Sequence, residues 1–202
     1  GKGKGRRTIL LYHISQTLRP GDEMTPDYRR SRPLVAPFLE ALERGEDCFY
    51  GMVLNGAYLY AVLGKSGLRE WADYAKWAAE AVFEHVRKTE FPAAYSRLTS
   101  HFFFADFADG RRLFETAWGE ESEEEKAAFR LFEVEVDDPS PQRRDMSLYD
   151  EAYDALEGSR DLQKAAACAR AYFSGEQSAD PFWELLSERP ARILREVPGV
   201  LR

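Results

Sequence analysis

Residues 8–14 read Thr-Ile-Leu-Leu-Tyr-His-Ile, and the rest of the chain is organised around this short run. Basic residues precede it and Ser15-Gln16-Thr17 follows it. An apolar stretch of that length between polar boundaries predicts a buried strand with His13 near its end. The residues before it, Gly1 to Arg7, read GKGKGRR, which predicts a flexible leader or linker over 1–7. Residues 8–202 then form a single domain.

The composition supports a core of that size. The chain has 202 residues, 44% hydrophobic and 31% charged, enough for one domain to bury a substantial interior. Its longest apolar stretch, Met52 to Leu63, is broken by Asn55 and Gly56 and falls short of the roughly 18 residues of a membrane span. No membrane partner is expected. Cys48 and Cys168 lie far apart with no CxxC or Cys/His spacing, so both read as core thiols and no metal site is expected. A net charge of -7 disfavours a surface built to neutralise many phosphates, although it leaves room for a local basic patch.

Moving outward from the first strand, Leu18 to Pro33 carries the turn signals Pro20-Gly21 and Thr25-Pro26 and the arginines Arg29, Arg30 and Arg32. Pro37 to Arg44 reads as a short helix, and Phe49 to Leu63 is an ambiguous apolar segment containing glycines. From Leu68 to Lys88, Trp71, Tyr74, Ala75, Ala78, Val82 and Val86 recur at helical spacing opposite Glu70, Asp73, Lys76, Glu80 and Glu84. That pattern predicts an amphipathic helix. Phe91-Pro92 ends it. Tyr95 to Ala105 has strand-like composition, and Asp109 to Trp118 reads as helix. The five glutamates among Glu120 to Glu125 read as a solvated loop or helix end.

Phe132 to Val136 alternates Phe, Glu, Val, Glu, Val, the period of a strand with one buried face made by Phe132, Val134 and Val136. A turn-rich stretch over 137–144 follows, then helix over 161–173 and a last strand over 191–197. Separated strands with helical insertions predict an α+β fold.

Several pieces recur together in one known superfamily. An early strand ending in Tyr12-His13, the segment Ser96-Arg97-Leu98-Thr99-Ser100 entering an aromatic strand, and an alternating strand before an acidic loop resemble the ADP-ribosyltransferases, in their diphtheria-toxin-like and rifampin-modifying branches. His85-Val86-Arg87, Phe91-Pro92, Phe132-Glu133-Val134-Glu135 and Trp183-Glu184-Leu185-Leu186 resemble more closely an uncharacterised bacterial family with a predicted transferase fold. The resemblance spans about Leu10 to Val197. It implies a split β-sheet core with helical insertions and NAD as co-substrate.

By the same resemblance, Tyr12 and His13 hold the adenosine ribose and nicotinamide. Ser96 and Ser100 hydrogen-bond the cofactor or brace the site, Arg97 grips the pyrophosphate through its planar fork, and Phe103 stacks on nicotinamide. Breaking the nicotinamide–ribose bond builds oxocarbenium-like charge, which a carboxylate stabilises. Asp137, Asp138 and Asp145 are candidates. Asp145 is favoured, with Arg143 and Arg144 expected to keep it ionised and Tyr149 as a wall. The superfamily usually places a glutamate on a strand for this purpose, whereas the rifampin-modifying branch uses aspartate.

The implied activity is mono-ADP-ribosylation of a macromolecule, RNA or protein, by a bacterial toxin or effector. Such a protein acts in the cytoplasm or is delivered into a target cell as part of a longer secreted chain. A toxin of this kind implies a cognate immunity or antitoxin protein. NAD hydrolysis is the alternative chemistry. Ile14 stands where those branches carry glycine, which keeps open a binding module without catalysis.

Overall fold

The computed structural model describes residues 7–25, 44, 71–116 and 122–201. The expected helix over 37–44, the apolar segment over 49–63, the arginines at 29–32 and Cys48 lie outside the described residues, Arg44 excepted. So do the side chains of Trp71 and Tyr74. The described residues fall into two compact units. The first draws on Gly1–Pro26, Ser100–Arg143 and Trp183–Arg202, and the second on Asp27–Thr99 and Arg144–Phe182.

In the first unit, strand β1 (Ile9–Ser15) pairs antiparallel with the alternating strand β4 (Arg130–Val136), setting Leu11 opposite Val134 and His13 opposite Phe132. β7 (Ala191–Glu196) lies on the other side of β4, and the short β2 (Glu23–Met24) closes the edge, giving the order β1-β4-β7-β2. Phe132, Val134 and Val136 point inward and join Leu11, Met24, Phe103, Ala191 and Ile193 in one core. Burying each large apolar side chain stabilises by about 1.5–3 kcal/mol relative to exposure.

A second antiparallel sheet has the order β3-β6-β5, built from His101–Phe103, Trp183–Ser187 and Gln142–Asp145. Among the described residues the two sheets meet at a single bridge. Tyr12 and Phe104 exchange both backbone hydrogen bonds there, at 2.9 and 2.8 Å. Helix α2 (Phe107–Thr116) follows directly and packs on this seam through Gly110. A Cβ at Gly110 would sit 3.2 Å from Leu131 and 3.5 Å from both Ile14 and Phe104. The glutamate run contributes helix α3 (Glu123–Ala128), capped reciprocally by Ser122 and Glu125.

The second unit is helical. α1 (Trp71–Glu90), α4 (Met146–Ser159) and α5 (Leu162–Ser174) pack through Ala78, Ala79, Ala152, Ala165 and Ala169, small residues that let helices approach closely. Phe83 fills the centre, its ring edge-on to Tyr149 at 5.2 Å and Tyr172 at 5.1 Å. Cys168 is buried in this core, as expected of a packing thiol.

The architecture is α+β, as the sequence predicts, with local differences. The strand expected over 95–105 shortens to His101–Phe103, because 92–99 is taken up by turns. Within the stretch expected to be turn-rich lies β5, and Trp183–Ser187 forms a strand the periodicity does not announce. The polar stripe expected on α1 is not a solvent face throughout. Glu80 and Glu84 are buried there against Arg97 and Arg87.

Candidate functional site

The eight residues expected at the site divide between the units. Tyr12, His13, Ser100 and Phe103 belong to the first, and Ser96, Arg97, Asp145 and Tyr149 to the second.

Every member of the second group has a task inside its own unit. Arg97 reaches Glu80 with Nε and one terminal nitrogen, at 3.2 and 3.3 Å. Its other terminal nitrogen donates to the Tyr172 hydroxyl at 2.8 Å, and its guanidinium carbon lies 4.0 Å from the centre of the Tyr149 ring. A guanidinium so enclosed braces the helices. Burial pushes the Tyr149 phenol well above its usual range, and the Glu80 charge pushes the same way. Ser96 donates to Glu84 at 2.7 Å and accepts from the Leu98 N–H.

Asp145 is the N-cap of α4. One carboxylate oxygen accepts from the N–H groups of Ser147 and Phe182 at 3.0 and 2.9 Å, and the other from Ser178 at 2.6 Å. Burial alone would raise its pKa, but these backbone donors outweigh burial and hold it below the ordinary carboxylate range. The arginine pair expected to do this is not the cause. A fully buried carboxylate saturated by the backbone is poorly suited to meet a ribose, and its geometry is that of a helix cap.

Asp138 has a structural task of the same kind. Asp138 accepts from the Ser187 hydroxyl at 2.7 Å and from the Ser140 N–H at 2.9 Å. Asp137 borders a groove of about 550 Å³ shared with Glu23, Glu135 and Arg192. Three carboxylates against one guanidinium make that groove repulsive to a pyrophosphate.

The first group is more suggestive. His13 reaches across the seam, its Nδ1 lying 2.7 Å from the Phe102 carbonyl. A carbonyl only accepts, so Nδ1 carries a proton, and in the neutral ring Nε2 is the accepting nitrogen. Tyr12 and His13 are both half-buried. Phe103 cannot stack on a ligand, because it is wholly buried in the sheet core. The half-buried phenylalanine of β3 is Phe102. Ser100 is almost fully buried, and its hydroxyl has no hydrogen-bond partner among the described residues. Such an orphan costs free energy and calls for an explanation.

One residue of this unit was not among the expected set. Glu184 is 3% exposed, on β6, beside β3. Phe103 pairs with Leu185, so the ladder carried one residue on sets Glu184 level with Phe104 and the Tyr12 bridge. The signal was in the sequence. A single acid inside Phe182-Trp183-Glu184-Leu185-Leu186 is a charge in an apolar run, costly to bury without purpose.

The observed features define an α+β protein whose first unit joins two antiparallel sheets at one bridge beside a histidine and a buried strand glutamate. Residues 12–198 match the family described as "Protein of unknown function (DUF2441)", and the chain belongs to it. No curated protein matches the chain.

Proposed function

We propose that this protein transfers ADP-ribose from NAD to a macromolecular acceptor, with His13 and Glu184 as the residues that meet the nicotinamide ribose. The observation that carries the reading is His13 anchored at the seam of the split sheet by the Phe102 carbonyl, with Glu184 buried on the next strand but one. Two interstrand spacings separate β1 from β6, about 10 Å between backbones. The ADP-ribosyltransferase fold belongs to this proposal, and the single-bridged pair of sheets is the feature that supports it.

The chemistry follows from the side chains. The nicotinamide–ribose bond breaks with its electron pair leaving on nicotinamide, positive charge grows on the sugar, and an acceptor nucleophile bonds to the same carbon as it loses a proton. Glu184 stabilises the growing charge more than the ground state, which is the requirement for catalysis. His13 Nε2 accepts a ribose hydroxyl and orients the sugar. Phe102 offers a wall to nicotinamide, in place of Phe103. Asp145 keeps its capping task in this reading.

Radiolabelled NAD incubated with protein and cell lysate tests the proposal. Wild type should transfer label, and Glu184→Gln should lower the rate by about 100-fold or more without loss of folding. Undiminished labelling by Glu184→Gln removes the carboxylate from the mechanism. Digestion of the labelled material with protease or ribonuclease identifies the acceptor as protein or RNA. Free ADP-ribose forming without acceptor assigns NAD hydrolysis instead, and absence of NAD binding by calorimetry assigns a binding module.

A further inference from the structure

We infer that the outer face of β1 and β4 is a docking surface for a protein partner that presents an apolar side chain beside a lysine or arginine. Strand alternation divides β1 between two faces. Leu11 and His13 turn toward Phe103 and the sheet core, so Leu10 and Tyr12 point the other way. Their cross-strand partners are Glu135 and Glu133, and directly paired residues share a face. Helix α2 covers one end of this face, where Gly110 lies against Ile14 and Leu131. Its first residue, Phe107, meets Tyr12 edge-on with ring centres 5.8 Å apart. The helix begins there and leaves the Leu10 end uncovered. Leu10 is 57% exposed and Phe107 48%, the large apolar side chains that stand out to solvent among the described residues.

Apolar residues scattered singly over a surface need no explanation, but these form one row. Leu10 and Tyr12 lie two residues apart, about 7 Å along the strand, and Phe107 continues the row from Tyr12. The charge beside the row indicates the partner. The groove of about 550 Å³ bordered by Glu23, Glu135, Asp137 and Arg192 also has Thr8 in its wall, two residues before Leu10 and on the same face. Arg195 lies 3.3 Å from Glu133 and Arg192 3.7 Å from Glu23. Glu135, level with Leu10, has no ion pair among the described residues. An ammonium or guanidinium entering the groove meets Glu135 while a neighbouring apolar group covers Leu10, so charge and shape are matched by one segment of a partner. The same carboxylates repel the phosphates of a polynucleotide. The surface lies on the opposite face of β1 from His13 and does not depend on the transfer reading.

Selection from a displayed library of random dodecapeptides, with the whole chain as bait, tests the surface. Peptides enriched on wild type should carry an aliphatic or aromatic residue beside lysine or arginine. The most enriched peptide, synthesised and titrated, should bind Leu10→Ser and Phe107→Ser about tenfold more weakly than wild type. Glu135→Gln, which keeps the shape and removes the charge, should weaken it about threefold or more, and that difference should shrink in about 0.5 M salt, where surface charges are screened. This salt dependence decides the matter if either apolar variant fails to fold. No enrichment on wild type, enrichment of peptides that lack the apolar–basic pairing, or equal affinity of wild type and the variants overturns the docking surface. An oligoribonucleotide that binds wild type but not Phe107→Ser overturns it in favour of RNA. A wild-type dimer that Leu10→Ser converts to monomer in sedimentation overturns it in favour of a second copy of the chain.

Discussion

At the scale of single residues, charge attracts attention first and burial decides its meaning. Asp145 and Arg97 carry chemically capable groups, yet the hydrogen bonds each makes are those of a cap and a brace. Asp145→Ala should therefore destabilise the fold by about 2–4 kcal/mol in urea unfolding, from a lost cap and newly orphaned N–H groups. The pH dependence has a definite sign. A carboxyl with a depressed folded-state pKa contributes its stability above the unfolded value near 3.9, and that stability is lost as pH falls through the depressed value. The gap in urea midpoint between wild type and Asp145→Asn should accordingly shrink below about pH 4. A gap that stays constant down to pH 2 would sink the account. Arg97→Ala strips Glu80 of a buried partner and should cost about 3–5 kcal/mol. A change in NAD affinity with unchanged stability would return Arg97 to the binding site. Neither role was legible in the sequence, because side-chain partners far apart along the chain leave no local pattern.

At the scale of elements, periodicity found what it measures. β1, β4 and α1 carry clear alternation or helical spacing and lie where the pattern puts them. β6 was missed for a physical reason. Burial alternates from Trp183 to Leu186, but the buried positions hold Glu184 and Leu186 and the half-buried ones Trp183 and Leu185, so the polar residue sits on the inner face and the sequence shows no matching alternation. β3 was overextended because hydroxyl and aromatic residues favour strands without dictating where pairing begins. The candidate site followed the same division. His13 stood on a legible strand and Glu184 on an illegible one. Helix α2 provides a test of packing at this scale. Gly110→Val places two methyl groups against Leu131, Ile14 and Phe104, and should destabilise by about 1–3 kcal/mol. A neutral result would show that the helix can lift from the seam without cost.

At the scale of the molecule, NAD binding should register as global stability. NAD at about 100-fold above its Kd stabilises a folded state by about 2.7 kcal/mol, visible as a raised thermal unfolding midpoint. The rise should disappear in His13→Ala while the ligand-free midpoint stays near that of wild type. A retained rise would separate the histidine from the ligand. The sheet order carries one more consequence, in biosynthesis. The last strands are interior ones: β6 lies between β3 and β5, and β7 between β4 and β2. At about 5–20 residues per second, the ribosome makes β1 tens of seconds before the strands that complete either sheet. Until then the histidine has no finished sheet around it, so translation itself withholds the seam from a chain still being made.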